Sequence, residues 1–563
     1  MNFCTSSFGI SSGLGHVAWT SGVVLTLACS GSGDDPNGGG AAAGTGGVPA
    51  TGAVAGTGGG ASSTGGSSAA SGGSAAGGSA AGGSATGGMT MTPGLGGMPG
   101  AGGNVGQGGS GGVPATGGNV SATGGEAMMT GGSAPLMGVP GEFTVDVSLS
   151  EKMKTVAIVN WTLGQEVQSA EIHFGTDAGN LDKVAPVDLS ETNFRTLLLG
   201  MKQNTTYSFQ IFAVSGGTTY ESEVLEITTE ALAATLPELT VIDTDASKLY
   251  GGFTINCTGV GGIGGGNVAG TAFIFDRDGD MVWAYPLEDT AVNGCSRARM
   301  SIDGKYMWVG NFSNVSPDGA LVRVTMDGLS ESAPYDFPGR HHDFAILPND
   351  HVLIFEQENG GGYADGSEGP DIISDMDPET GIATELYHQS TDFTAQIEDS
   401  NGAHTNHIAF VPELNAISFS MRHSSTVALI SYPDSQVLGV FSGIGDEFGM
   451  SWDVQHGHHV QDGKLLVFNN NGTNGGSSIL EYDFDLQAKT SSELPDYSSG
   501  ENSGAFGDVK RLPNGNIFVT YSTSGVIHEI DADKNLLRSI ETDAIGYSEH
   551  RGSLYGPPPP FDQ

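Results

Sequence analysis

Basic residues are scarce in this chain: 20 Lys and Arg stand against 63 Asp and Glu over 563 residues, a formal charge of −43. That balance argues against nucleic acid and anionic membrane surfaces as partners, because both attract a basic face. An anion could still be bound, but only where the chain is made positive locally, since the far field is unfavourable and is screened beyond roughly 10 Å. Long apolar runs are missing too, and no stretch approaches the ~20 residues of a membrane span. Helical periodicity is almost absent, which points to an all-β fold. Aromatic residues are lacking from Ser30 to Gly138, where Gly, Ala, Ser and Thr dominate and only Asp34, Asp35 and Glu126 are charged. Such a segment buries too little apolar surface to offset its ordering entropy. Residues 30–138 are therefore expected to form a disordered, Gly-rich linker with a reach of roughly 60 Å.

Cysteine is nearly absent as well, with four in the whole chain. The leader, residues 1–29, carries the apolar run Val23-Val24-Leu25-Thr26-Leu27-Ala28 and ends at Cys29. It resembles a bacterial lipoprotein signal, in which that cysteine becomes the lipidated first residue. Thr26 stands where the pattern prefers an aliphatic residue, and the leader has no Lys or Arg. The expectation is an exported protein, either a cell-envelope lipoprotein anchored through Cys29 or a secreted one, touching membrane only through that anchor. Cys4 leaves with the leader. Cys257 and Cys295 remain as a candidate disulfide, which a compartment outside the cytoplasm permits.

Between residues 140 and 232 short alternating segments are separated by turn clusters such as Thr176-Asp177-Ala178-Gly179-Asn180, which predicts a small β-sandwich. The run from Leu199 to Phe209, with Trp161 on an earlier strand, resembles a fibronectin type III domain. The resemblance implies that Trp161 packs the core and Tyr207 locks a corner, so both are structural. From 236 to 560 a turn containing Asp or Asn repeatedly feeds an apolar strand. The units begin at Ile302-Asp303-Gly304, Leu347-Pro348-Asn349, Val411-Pro412-Glu413, Gln461-Asp462-Gly463 and Leu512-Pro513-Asn514. Their spacing is near that of a four-stranded propeller blade with insertions. A sixth blade is expected where strands around Ala272 to Ala284 join the C-terminal segment, closing the ring and removing its free edges. Asp276-Arg277-Asp278-Gly279-Asp280 reads as a tight turn, because Met281 and Leu287 occupy positions where a calcium loop needs Gly and Glu.

Ten of the fourteen histidines lie between His341 and His459. Three motifs stand at similar places in successive repeats: His341-His342-Asp343-Phe344, His404-Thr405-Asn406-His407, and Gln455-His456-Gly457-His458-His459. Equivalent positions in successive blades face the central axis, so these imidazoles are expected to converge, with Arg422 in reach. A cluster of imidazoles around one guanidinium suits an oxyanion and its transfer.

The ordered set formed by these motifs, Ser420-Met421-Arg422-His423-Ser424, Trp452 before Gln455-His456, Gly507-Asp508, and Arg551 before Leu554-Tyr555 resembles the bacterial arylsulfate sulfotransferases over about 300 residues. The resemblance implies a six-bladed β-propeller preceded by a small sandwich. It also implies transfer of a sulfuryl group from an aryl sulfate to a phenol, with no cofactor and no nucleotide donor. By motif, His456 is the histidine that is transiently sulfated. His404, Asn406 and Arg422 hold the sulfuryl oxygens or assist proton transfer. The pair His341-His342 supplies one more site histidine, with His342 favoured. One or two protonated histidines are expected to join Arg422 in opposing negative charge. The chain departs from the family at Asn469-Asn470, where an acidic residue usually accompanies Asn. Two rival readings stand beside this one. A metal-dependent hydrolase or lyase would use His404-x-x-His407 and His456-x-His458 as ligands, and a surface-displayed binding protein would need no catalysis.

Overall fold

Alternation of apolar and polar residues builds the first domain: Phe143–Leu149 buries every second side chain only partly, as a sheet edge does. The computed structural model describes residues 142–259, 270–287, 294–310, 318–338, 340–358, 371–389, 404–443, 445–472 and 476–556. The leader with Cys29 and the linker 30–138 lie outside the described residues. In the first domain Phe143–Leu149, Ala157–Leu163 and Thr196–Leu198 form one sheet. A second sheet of Lys183–Pro186, Ser169–Gly175, Thr206–Ser215 and Thr218–Glu221, with Leu225–Thr228 also paired to Thr206–Ser215, faces it. Trp161, Ile172, Phe174, Tyr207 and Phe209 fill the space between. Phe143 and Phe194 flank the Trp161 ring at 5.8 and 4.8 Å. The Tyr207 hydroxyl accepts a bond from the Lys202 backbone N–H at 2.9 Å, pinning the corner before its strand.

Six four-stranded antiparallel units follow, the last extended by Thr240–Asp243. Their innermost strands are Glu549–Arg551, Arg297–Met300, Phe344–Ile346, Thr405–Val411, Gln455–Gln461 and Asp508–Arg511. In the first blade the C-terminal strand Glu549–Arg551 pairs with Phe253–Cys257, so the two ends of the domain share one sheet. This is a six-bladed β-propeller, closed as the repeats predict. Second strands such as Tyr306–Gly310, Ala416–Met421 and Lys464–Asn469 are buried on both faces because neighbouring blades cover them. A disulfide joins Cys257 of the first blade to Cys295, just before the second, with Cα atoms 5.8 Å apart.

The sandwich sits directly on the propeller. Ser150 donates to the Asp327 carbonyl at 2.5 Å and Thr155 to the Val282 carbonyl at 2.6 Å. The Tyr555 hydroxyl accepts from Leu199 N–H and donates to the Leu197 carbonyl. Lys202 Nζ reaches Asp276, Asp278 and Asp280 at 3.3, 2.6 and 2.7 Å. A lysine thus occupies the centre of the carboxylate cluster that a cation would take, and Asp276 accepts the N–H groups of Asp278 and Asp280 across a tight turn. A cleft of about 420 Å³ lies in this seam, and none of the candidate site residues lines it.

Candidate active site

Backbone conformation marks the site before any side chain is considered. His342, His404, Val454 and Phe506 have φ of 55°, 53°, 56° and 57°. Each stands one or two residues before the innermost strand of four successive blades. Left-handed backbone is unfavourable for such residues, costing on the order of 1–3 kcal/mol each. Hydrogen bonds within and between blades hold it in place. His404 O accepts from Arg422 N at 3.1 Å, and Val454 N donates to Ser425 Oγ at 3.2 Å. Bulges add to the effect: the register jumps from Gln455↔Asn469 to His458↔Val467, so His456 and Gly457 share one opposing residue. Gly457 is required there, because a Cβ would lie 2.6 Å from the Asp508 Cα.

These loops bring His342, His404 and His456 together. The ring centroids of His342 and His404 are 4.8 Å apart, and those of His342 and His456 6.1 Å. Phe506 covers both His342 and His456 at 5.6 and 6.0 Å. His456 Nδ1 lies 2.7 Å from Asn470 Oδ1. Asn470 Nδ2 donates to the carbonyls of Ser503 and Phe506, both at 2.7 Å, which fixes its oxygen towards His456. His456 therefore carries its proton on Nδ1 and a lone pair on Nε2. Arg422 is half-buried in the turn after the second strand of the fourth blade.

Two predicted residues are placed differently. His341 stands one ring behind His342, its Nδ1 3.0 Å from His342 Nδ1 and its Nε2 3.2 Å from Asp371. Asn406 is fully buried and committed to the scaffold: Nδ2 donates to the Gln455 carbonyl at 2.7 Å and Oδ1 accepts from Ser420. It braces the strand that presents His456.

The expected protonated histidines are not found. Burial, helped by Arg422, lowers the His456 imidazole to about 3 against an Asn470 bond that partly raises it. Burial and the neighbouring histidines push His342 well below its usual range, and burial with His423 and Arg422 does the same to His404. All three rings are neutral at pH 7, leaving Arg422 as the cation beside them.

Beneath the histidines, the axis is crossed by a buried ionic layer that sequence reasoning missed. Arg297 donates to Asp343 through Nε at 2.8 Å, and through Nη1 to Asp508 and the Ser548 carbonyl, each at 2.7 Å. Its guanidinium lies 4.7 Å above the Tyr547 ring. His407 Nε2 approaches Asp508 at 3.4 Å, and the His458 ring is 4.6 Å from that of His407. The spacings that suggested metal ligands are thus split between two layers, with His404 and His456 above and His407 and His458 below. Among the described residues, the one group with ligand atoms close enough for a metal is the Asp276, Asp278 and Asp280 turn.

The decisive comparison concerns the blades that carry this cluster. Residues 340–542 match the family model for arylsulfotransferase (ASST). That span runs from the His341-His342 pair to the end of the sixth blade, so the matched residues include every candidate catalytic residue. No curated protein matches the chain. Among solved structures, an inactive virginiamycin B lyase from Staphylococcus aureus with quinupristin is 13% identical, covering 55% of this chain and 89% of its own, with a TM-score of 0.33. A periplasmic gluconolactonase from Pseudomonas aeruginosa is 16% identical, covering 61% and 94%, with a TM-score of 0.38. Likenesses at this level carry no functional weight.

Buried histidines also give the propeller an acid-labile core. His456, His459 and His550 are lowered to about 3 and His528 to about 4, chiefly by burial, and His458 well below its usual range. Unfolded, each titrates near 6.5. Below that pH the unfolded chain gains protons that the native one refuses, so stability falls by about 1.4 kcal/mol per pH unit for each such ring until its native pKa is reached. The midpoint of thermal unfolding should be flat above pH 7 and drop steeply from pH 6.5 towards 4, as measured by calorimetry.

Proposed function

We propose that this protein transfers a sulfuryl group from an aryl sulfate to a phenol through a sulfohistidine at His456, without nucleotide or metal. The observation that carries this reading is the His456 ring, neutral and fixed by Asn470 with its Nε2 lone pair available, beside His342, His404 and Arg422. A neutral imidazole is a competent nucleophile and leaving group for a sulfuryl centre, dividing the transfer into two in-line displacements. Attack by Nε2 forms an N–S bond as the aryl O–S bond breaks, and the phenolate leaves with its electron pair. A phenol oxygen then attacks sulfur and the N–S electrons return to the ring. Arg422 supplies positive charge for the sulfuryl oxygens. Entry of an anion among His342 and His404 raises their proton affinity, so rings that rest neutral become able to donate. In the same proposal the apolar run before Cys29 and the Cys257–Cys295 disulfide support a reading in which the activity lies in the cell envelope or outside it.

Incubation with an aryl sulfate alone, followed by proteolysis and mass spectrometry, should add about 80 Da to the peptide containing His456, and a phenol should discharge it. Turnover with no adduct at His456 would reject the covalent route.

A further inference from the structure

Asp371 has no part in the family motifs, yet its carboxylate ends a continuous chain of polar contacts into the histidine cluster. It is buried, at 2% exposure, at the start of the strand Asp371–Asp377 in the third blade. Oδ2 accepts from the Thr405 N–H at 2.7 Å and from the Thr405 hydroxyl at 2.6 Å, while Oδ1 faces His341 Nε2 at 3.2 Å. His341 is stacked on Phe355 and meets His342 through Nδ1 to Nδ1 at 3.0 Å, and His342 Nε2 lies 3.3 Å from His404 Nε2.

One carboxylate, with Oδ2 held by both Thr405 donors and Oδ1 facing His341, fixes the protons along this chain. Asp371 can only accept, so His341 Nε2 carries a hydrogen. With that hydrogen on Nε2, His341 presents a lone pair at Nδ1, His342 donates to it from its own Nδ1, and His342 Nε2 keeps a lone pair facing the cluster. His404 reaches that lone pair across 3.3 Å, a long contact that an acceptor hydroxyl can replace.

We propose that Asp371, acting through His341, sets the direction of a proton relay in which His342 takes the proton of the acceptor phenol. The proposal rests on the sulfuryl-transfer reading above. As the phenol oxygen forms its bond to sulfur and the bond from sulfur to His456 breaks, the phenol proton moves to His342 Nε2. The Nδ1 proton of His342 passes to His341 Nδ1. Positive charge comes to rest on His341 against the Asp371 carboxylate, not on His342, where burial and the Arg422 cation oppose it. The stored proton then leaves to solvent or to the next departing phenolate, so one proton and one sulfuryl group balance in each cycle. Asp371 is a positioning residue.

Asp371→Asn in the full chain tests this directly. The two Thr405 donors hold the amide oxygen on their side, so the amide NH₂ faces His341 and the tautomers along the chain reverse. His342 then offers a proton where it had a lone pair. Nitrogen NMR of histidine-labelled protein should show His341 protonated at Nε2 and His342 at Nδ1 in the native protein, and both exchanged in the variant. Sulfation of His456 by para-nitrophenyl sulfate should proceed at the native rate. Transfer onward to a weakly acidic phenol should slow about 10²-fold, and to a strongly acidic, already ionised phenol hardly at all. His341→Gln breaks the relay one link later and should show the same dependence on acceptor acidity, and Asp371→Glu should restore part of the rate. Equal slowing of all acceptors, no slowing of any, or native tautomers opposite to those given overturns the relay. Absence of any His456 adduct in the native protein instead removes the sulfuryl reading, while the tautomers still decide whether Asp371 orients the chain.

Discussion

Substitution His456→Ala should abolish sulfuryl transfer, by roughly 10⁴-fold or more in kcat, while the propeller stays folded. The expected size follows from the role: a nucleophile that forms the covalent intermediate has no substitute among the neighbouring rings. His342 and His404 lie in contact with each other, and His404 has His423 at 4.8 Å on its other side. Neither has the Asn470 bond that fixes the proton of His456 and frees its Nε2. Stability should suffer modestly, because the deletion leaves the Asn470 oxygen without its donor, at a cost of about 1–3 kcal/mol. Circular dichroism should remain native and an unfolding curve should show the modest loss. Added imidazole should recover part of the transfer by entering the space the side chain leaves. A binding protein without catalysis predicts the opposite pattern, in which no aryl sulfate is turned over by either form.

The propeller was legible because its second strands are covered on both faces. Tyr306–Gly310 and Lys464–Asn469 read as largely apolar runs after an Asp-Gly turn, and a turn with Asp or Asn before such a run recurs in five of the six blades. Outer strands were not legible for the same reason inverted. Ile382–His388 and Thr490–Tyr497 face solvent along much of their length, so no apolar pattern is imposed on them. In the sandwich, Lys183–Pro186 and Thr218–Glu221 are short edge strands and escaped notice. Among site residues, the histidine motifs announced themselves through their repeated position before core strands. Asn406 misled because its type suits an oxyanion, whereas the bulge after Thr405 turns it into the scaffold. Asn470 appeared only as a departure from a family pattern, and its bond to His456 depends on a strand pairing that the sequence does not display. Phe506 and Asp371 meet the cluster from loops and strands far along the chain. The Arg297 layer left no local trace, since its partners Asp343 and Asp508 lie 46 and 211 residues away.

That layer is where the fold should be most sensitive. Arg297→Met is expected to destabilise the protein by about 3–5 kcal/mol, the usual result of removing one member of a buried ionic group. The guanidinium joins the second blade to the third through Asp343 and to the sixth through Asp508, and its bond to the Ser548 carbonyl reaches the closing segment. Arg297 holds Asp343 well below the usual carboxylate range and Asp508 at about 2, each against a burial effect that would raise it. In the native protein these depressed values contribute stability above the unfolded value near 3.9, lost as pH falls through the native ones. Methionine reverses the sign. Even with Arg299 still 3.6 Å from Asp343, burial lifts the carboxylates above their unfolded value, and stability is then lost as pH rises through the new one. The deficit relative to native should therefore be larger at pH 8 than at pH 5. Adding Asp508→Asn to Arg297→Met should return part of the loss at neutral pH, because it removes a buried charge that no longer has its partner. Denaturant unfolding of the two variants at both pH values measures this, and equal deficits at pH 5 and 8 would show that the arginine stabilises the axis by packing alone.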